Sequence, residues 1–202
     1  MRTRDIRLYS DAELEDRRAG LEEVAGALER HGLRYLLFDG ALLGIVREGN
    51  FIRWDDDVDL AIYAEDAPGR IFKVLDELEA AGFSLGLFRL GYWRIDLKKR
   101  ECKYTLQFYY EEGEMRRAGV IQHPRTIFEE TGDVEFKGRS YPCPADIEGY
   151  FQRQYGPDWR TPKPVAPGTP MNRYIRAECF KRDPIAKRLA RRLASALERI
   201  GR

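Results

Sequence analysis

The segment DVDLAIY, residues 57–63, places two acidic side chains in a stretch that otherwise has the composition of a buried strand. Residues two apart in a strand point to the same face, so we expect the Asp57 and Asp59 carboxylates to lie only several ångströms apart. Two like charges that close need a counter-ion. Mg²⁺ is commonly held by one or two carboxylates, while water and substrate phosphates fill its remaining positions. The segment therefore predicts a strand that carries a divalent metal site.

An exposed acidic loop is the alternative for residues 55–59, because runs of like charge are usually solvated. The apolar neighbours Val58 and Leu60 favour the strand, as does Trp54 immediately before the run. A second carboxylate in a strand-like context, at Asp96, favours it as well.

Asp96 stands between Ile95 and Leu97, and a carboxylate flanked by two aliphatic residues needs a partner. One candidate is the same metal site, reached from an adjacent strand. The other is an ion pair with Arg94 or Lys98, and the sequence leaves both open.

Composition bounds the class of protein. The chain has 202 residues, 43% of them hydrophobic and 12% aromatic, which fits one globular domain with a proper core. A formal net charge of +1 argues against a general nucleic-acid-binding surface. The N-terminus lacks an apolar signal core, and no window approaches the roughly eighteen apolar residues of a spanning helix. The three cysteines lie far apart without a CxxC pair, so we expect reduced thiols in a cytoplasmic protein.

The histidine content narrows the chemistry. The chain has two histidines, and no His or Cys at metal-ligand spacing, which argues against zinc hydrolysis. A Ser-His-Asp triad would have to use His123. We interpret His123, which precedes Pro124, as a structural or peripheral loop residue, and this leaves carboxylate chemistry.

Hydrophobic periodicity and turn residues predict the order of elements. The first part reads as helix, strand, helix, strand, helix, and aromatic-rich antiparallel strands and hairpins follow. The prediction is an α+β domain with a mixed sheet. The predicted helices cover residues 11–31, 41–47, 67–81 and 146–155, the strands 33–38, 58–63 and 134–136, the antiparallel region 83–120, and an extended proline-rich loop 161–170.

Gly40 is predicted to lie between a strand and a short helix. A residue without a Cβ there lets a phosphate approach backbone N–H groups at the helix N-terminus, although an ordinary turn is the alternative. Gly44 is interpreted as a helix-packing contact. Arg47, two helical turns after Gly40, either contacts the same phosphate or is solvated.

The stretch DGALLGIVREGNFIRWDDDVDLAI resembles the signature of the LicD family, usually written DGTLLGxxRHGxxIPWDDDhDh with h for an apolar residue. The family includes bacterial phosphocholine transferases and the fukutin-related proteins. The stretch VEFKGRSYPCPADIEGYFQRQYGPDWRTPKP is similar to the family's closing segment. The resemblance covers about residues 33 to 163. Ala41, Glu48 and Arg53 depart from the signature's usual Thr, His and Pro.

The resemblance implies a nucleotidyltransferase-like fold, a mixed sheet flanked by helices. It implicates Asp57 and Asp59 as a metal pair and Asp96 as the third carboxylate, the set that the residues themselves indicate. The same resemblance assigns further residues to the phosphate turn and to the substrate, namely Gly40 at the turn and Asp39, Arg47 and Trp54 around the substrate.

The resemblance favours an Mg²⁺-dependent phosphotransferase, with Mn²⁺ as a substitute. It would move phosphocholine or a polyol phosphate from a CDP-linked donor to a hydroxyl of a cell-surface glycan precursor, which is often lipid-linked. Asp96 is the candidate base. A nucleotidyltransferase that moves NMP from an NTP is the rival enzyme, and a non-catalytic binding protein with a decayed site is the rival of another class. No nucleic-acid partner is expected.

The C-terminal end is basic. Residues 181–202 hold eight Lys or Arg against two acidic residues, and apolar residues recur there at helical steps. We therefore divide the chain into a catalytic domain, residues 1–180, and a basic amphipathic helix, residues 181–202. This helix either packs on the domain or holds a cytoplasmic enzyme against anionic lipid at the inner face of the membrane.

Overall fold

The computed structural model describes residues 6–89 and 94–164, together with Ile175, Arg176 and Cys179. The described elements are helices α1 (Asp11–Arg30), α2 (Asp39–Glu48), α3 (Ile71–Ala80), α4 (Thr126–Glu129) and α5 (Ile147–Tyr155), a 3₁₀ turn (Ala64–Asp66), and strands β1 (Tyr35–Leu37), β2 (Asp57–Tyr63), β3 (Ser84–Arg89), β4 (Arg94–Lys99), β5 (Cys102–Glu112), β6 (Met115–Ala118), β7 (Ile121–Pro124), β8 (Thr131–Phe136) and β9 (Arg139–Pro144).

The main sheet has the strand order β1-β2-β5-β4-β3, and β6 and β7 continue it from β5. Strand β2 pairs in parallel with β5, whereas the other pairs are antiparallel. The predicted mixed α+β architecture is confirmed. The expectation that Asp96 lies on a strand adjacent to Asp59 is wrong, because β5 lies between β2 and β4. A crossover to a parallel strand leaves no local signature in the sequence.

Helix α1 begins and ends where its sequence signals indicate. Ser10 caps the N-terminus, and the Glu13 side chain returns to the Ser10 backbone N–H, which completes a capping box. Leu21, Val24 and Leu28 are fully buried, so the predicted apolar face is the face that packs on the sheet. Helix α1 contacts β5 and α3, and the Tyr104 hydroxyl of β5 donates to the Arg17 carbonyl oxygen of α1 at 3.2 Å.

Helix α2 begins at Asp39, two residues earlier than predicted, and ends at Gly49 in the left-handed conformation. Gly44 is a packing contact, as interpreted, because a Cβ there would lie 2.7 Å from the Asn50 carbonyl oxygen and 2.8 Å from the Ile52 backbone nitrogen. The missing side chain therefore lets the chain fold back from α2 into β2.

The helix predicted over residues 67–81 is shorter. A 3₁₀ turn ends at Asp66, and α3 begins only at Ile71. Gly69 has a φ of +74°, a conformation that an α-helix cannot include, so the helix starts after it.

The antiparallel region 83–120 contains β3 to β6, as predicted, but two further strands were missed. His123 lies in β7, opposite Arg116 of β6, and its placement in a loop was wrong. Strand β9 contains Pro142 and Pro144, which normally argue against a strand. They are tolerated because β8 and β9 form a separate two-stranded sheet in which both strands are edges.

Helix α5 begins at Ile147, where the Asp146 side chain accepts a hydrogen bond from the Gly149 N–H at 2.8 Å. Residues 165–170 of the predicted loop and the basic segment 181–202 lie outside the described residues. None of the helices in the described ranges has the length and apolarity that a membrane crossing requires.

Candidate active site

Strand β2 presents its two acidic residues on one face. Val58 and Leu60 are fully buried on the opposite face, which holds the strand in register with the core. Asp57 and Asp59 are half-buried beside each other, as the two-residue spacing predicts. Apolar packing on one side therefore presents two carboxylates on the other.

A row of side chains crosses three strands at this point. Asp59 of β2 is in register with Thr105 of β5, which is in register with Asp96 of β4. The Thr105 hydroxyl lies 3.1 Å from Asp57 Oδ2 and 3.4 Å from Asp96 Oδ1, so it can donate to either carboxylate. The structure thus places Asp57, Asp59 and Asp96 on one face of the sheet, with Thr105 between the two acidic strands.

Two basic side chains reach into this acidic face. Arg94 Nε lies 2.6 Å from Asp96 Oδ1, and its Nη2 lies 3.6 Å from Asp57 Oδ2. Lys103 Nζ lies 3.2 Å from Asp57 Oδ2 and 3.2 Å from Asp56 Oδ2. The Asp96–Arg94 pair is the ion-pair alternative that the sequence left open.

Among the described residues, the acidic group with ligand oxygens all within 4.8 Å of one another is Asp55, Asp56 and Asp57. Asp59 and Asp96 are not part of that group. Asp57 is common to both arrangements. The donors are carboxylate oxygens, the ligands that Mg²⁺ prefers, so the residues present fit such an ion.

Gly40 lies in the first turn of α2, directly after β1. A Cβ at this position would lie 2.0 Å from Asp55 Oδ2. The absence of a side chain at the predicted phosphate turn therefore admits the Asp55 carboxylate. Arg17, a fully buried residue of α1, donates a hydrogen bond to the Asp55 carbonyl oxygen at 2.7 Å. This bond ties the loop before β2 to α1.

The pKa values of three carboxyls reflect their confinement. Burial raises the pKa of Asp55 to about 7 and that of Asp39 to about 6, and the charge of Asp57 adds to both effects. Burial raises the pKa of Asp59 well above its usual range, again with a contribution from Asp57, while Arg94 opposes it. Full ionisation of this group is unfavourable without an added cation, which is the electrostatic condition of a cation-binding site.

Helix α5 holds Asp39 in place. Asp39 Oδ1 accepts hydrogen bonds from the Tyr150 hydroxyl and from Gln154 Nε2, both at 2.7 Å, and the Asp39 N–H donates to the Tyr150 oxygen at 3.2 Å. Asp39 has a φ of +41°, a strained value for a residue with a side chain. These bonds stabilise that conformation, so α5 fixes one wall of the site.

Replacement of Tyr150 by phenylalanine (Tyr150→Phe) should destabilise the protein by about 1.5–3 kcal/mol, since it removes a hydrogen bond to a buried carboxylate. The pKa of Asp39 should rise further, because the Tyr150 hydroxyl lowers it. Urea unfolding measures the first effect. Tyr141→Phe is the matched control, since the buried Tyr141 hydroxyl has no hydrogen-bond partner among the described residues. An equal loss in both variants would contradict the assignment.

The two remaining predicted substrate residues, Arg47 and Trp54, contact other parts of the chain. Arg47 pairs with Glu48 at 2.5 Å and donates to the Trp159 carbonyl oxygen at 3.3 Å, so it ties α2 to the segment after α5. Glu48 stands where the signature has His, and this departure supplies the partner. Trp54 is partly buried against the core.

Four residues of the site, on β5 and α5, were missed by the sequence reasoning. They lie on strands or a helix whose partners are distant in the chain. A weak signal existed, because polar residues alternate with apolar ones in β4 and β5 and two polar residues stand four apart on α5. The missed residues are Lys103 as a site cation, Thr105, Tyr150 and Gln154.

The site thus combines carboxylates on one face of a mixed sheet with a glycine turn at the N-terminus of α2. A family model described as "LicD/FKTN/FKRP, nucleotidyltransferase domain" matches residues 32–146, more than half of the chain. The chain belongs to the LicD/FKTN/FKRP family. This confirms the resemblance that the signature suggested.

Curated relatives match over different extents. The chain is 58% identical over 43 residues to ribitol 5-phosphate transferase FKRP of Homo sapiens and of Mus musculus, which is 21% of this chain and 9% of each relative. It is 25% identical over 152 residues to the uncharacterized protein RP689 of Rickettsia prowazekii (strain Madrid E), 69% of this chain and 53% of that protein. The aligned segment is thus a small part of the FKRP sequences.

Two solved structures match part of the chain. The antibiotic-resistance factor ANT(2'')-Ia matches with a TM-score of 0.48 at 16% identity, over 65% of this chain and 66% of that one. The RNA terminal uridylyl transferase Cid1 matches with a TM-score of 0.39 at 20% identity, over 50% of this chain and 32% of that one. Family membership therefore depends on the sequence match.

Proposed function

We propose that this chain is a metal-dependent phosphotransferase that moves a phospho-alcohol unit from a CDP-linked donor to a hydroxyl of a cell-surface glycan precursor. The observation that carries the proposal is the pair Asp57 and Asp59 on one strand face, with Asp96 on the same face two strands away, in a chain of the LicD/FKTN/FKRP family. The relatives named ribitol 5-phosphate transferase favour a polyol phosphate over phosphocholine as the unit carried.

The proposed roles combine the family resemblance with the observed contacts. Asp57, Asp59 and Asp96 would hold Mg²⁺ or Mn²⁺, which when bound neutralises phosphate charge and acidifies the attacking hydroxyl. Asp96 is the candidate base, and Arg94, whose Nε lies 2.6 Å from Asp96 Oδ1, orients that carboxylate. Asp39, held by α5, forms the wall at the α2 end of the site.

A donor screen tests the proposal. CDP-ribitol, CDP-glycerol, CDP-choline and the four NTPs are each incubated with Mg²⁺ and a lipid-linked glycan fraction, and then with EDTA. We expect CMP release from a CDP-alcohol that requires Mg²⁺ and acceptor. Pyrophosphate release from an NTP would instead establish the rival nucleotidyltransferase.

A binding measurement complements the screen. Ligands that bind only the folded state raise its stability by mass action, so Mg²⁺ together with CMP should raise the melting temperature. Asp96→Asn should reduce that increase. An increase with Mg²⁺ and CMP but no turnover of any donor would indicate the non-catalytic alternative, and an increase with another nucleotide alone would overturn the CDP assignment.

A further inference from the structure

Two positively charged side chains and one hydroxyl group surround the Asp57 carboxylate. Its Oδ2 atom lies 3.2 Å from Lys103 Nζ, 3.6 Å from Arg94 Nη2 and 3.1 Å from the Thr105 hydroxyl. Lys103 is in register with Asp57 across the parallel β2–β5 pair, so the backbone itself sets this contact. The chain carries its own counter-ions at the carboxylate best placed to bind a metal.

These counter-ions compete with a divalent metal. A metal-bound carboxylate oxygen lies about 2.1 Å from Mg²⁺, so an ion on Asp57 would come within a few ångströms of the Lys103 ammonium. Like charges at that separation repel strongly in a partly buried site. A metal at Asp57 and Lys103 in its present position are therefore mutually unfavourable, and metal binding has to displace the lysine.

The two cations differ in how firmly they are held. Arg94 is fixed by Asp96 at 2.6 Å and by the Thr105 hydroxyl at 3.1 Å. Among the described residues, the side-chain partners of Lys103 are the carboxylates of Asp57 and Asp56. The Asp56 side chain is 63% exposed. A lysine head group on a flexible stem can leave such a contact at small cost. Lys103 is thus the exchangeable cation, and Arg94 the fixed one.

We propose that Lys103 is a phosphate-binding residue, which neutralises Asp57 in the metal-free chain and is released by the metal to contact the donor diphosphate. Arg94 remains beside Asp96 and contributes a fixed positive charge to the same face. The inference rests on the proposed function, since the ligand is the diphosphate of a nucleotide-linked donor. An ammonium that has lost one carboxylate partner and stands beside the metal ligands is suited to bind a phosphate oxygen.

The proposal predicts effects of opposite sign in one variant. Lys103→Met should tighten the binding of Mg²⁺ alone by about tenfold, because a competing positive charge is removed. In saturating Mg²⁺ the same variant should bind CDP about tenfold more weakly, since a charge-assisted hydrogen bond is lost. The affinity for cytidine, which has no phosphate, should stay unchanged. Isothermal titration calorimetry with Mg²⁺, CDP and cytidine measures all three.

Two further variants serve as controls. Lys73 is an exposed residue of α3, and no contact of Lys73 with a carboxylate is found among the described residues, so Lys73→Met should alter neither affinity. Lys103→Arg retains the charge and should keep most of the CDP affinity. Lys103→Gln replaces Lys103→Met if the latter does not fold, as judged by circular dichroism.

The outcomes separate this inference from the proposed function. Tighter Mg²⁺ binding with unchanged CDP binding would overturn the phosphate role of Lys103, and unchanged Mg²⁺ binding would overturn the competition. If the wild type binds UDP, GDP or ADP rather than CDP, the CDP assignment falls, and the loss in Lys103→Met then has to appear with that diphosphate. Binding of no nucleoside diphosphate in the presence of Mg²⁺ would overturn both.

Discussion

Asp57→Asn and Asp59→Asn should each lower turnover by several orders of magnitude while the fold stays intact, because each removes a proposed metal ligand and no packing group. Turnover is measured as nucleotide released at saturating Mg²⁺, and circular dichroism confirms the fold. Asparagine keeps the shape of aspartate, so loss of activity reports the charge. Full activity of either variant at ordinary Mg²⁺ would end the metal-pair hypothesis.

The variant Asp59→Asn should also raise the stability of the metal-free protein. The pKa of Asp59 in the folded chain lies well above its usual range, so its charged form is disfavoured by folding. The folded state then binds more protons than the unfolded state, and stability falls as pH rises from about 4 through the folded pKa. In EDTA at pH 7, Asp59→Asn should therefore melt at a higher temperature than the wild type, and the difference should vanish at low pH.

The variant Asp56→Asn tests whether the metal is held by the loop group or by the carboxylates on the strand face. Asp56 belongs to the compact group with Asp55 and Asp57, but its side chain is 63% exposed and it lies before the first residue of β2. Its replacement should change turnover only a fewfold. A loss as large as that of Asp57→Asn would place the metal in the loop group rather than on the strand face.

Acid should destabilise the protein through His123. The ring is fully buried among Phe38, Tyr109 and Tyr150, with centroid separations of 5.3 to 5.9 Å. Burial lowers its pKa from 6.5 to about 3, and the charge of Arg153 adds to the effect. In the unfolded chain the ring takes up a proton below about pH 6.5. The free energy of unfolding should then fall with pH between these values, by up to about 1.4 kcal/mol per pH unit.

The variant His123→Phe isolates this contribution. It removes two ring nitrogens that have no hydrogen-bond partner among the described residues and keeps an aromatic ring in the cluster. At neutral pH its stability should equal or exceed that of the wild type. The difference between the two unfolding free energies should grow as pH falls from 6.5 toward 3. A profile of His123→Phe that matches the wild type would refute the prediction.

Sequence reasoning located the elements whose signals are local. The capping box at Ser10 and Glu13 and the apolar face of α1 are set within one or two helical turns. The common face of Asp57 and Asp59 follows from the two-residue period of any strand. Side chains a few residues apart are placed by the backbone geometry of their own element, so the sequence by itself determined that these two carboxylates share a face.

Tertiary structure decided how that pair is surrounded. Thr105 and Lys103 meet β2 through a parallel pairing across some forty residues, and Tyr150 lies 111 residues from the aspartate it holds. Such partners are selected by the burial of whole faces, since a strand can satisfy its backbone hydrogen bonds beside any neighbour. The periodic pattern of a segment indicates which of its faces is buried. It does not indicate which other element packs against that face. The carboxylates of this site could therefore be predicted from the sequence, whereas the positions of the cations and hydroxyls beside them depend on the fold.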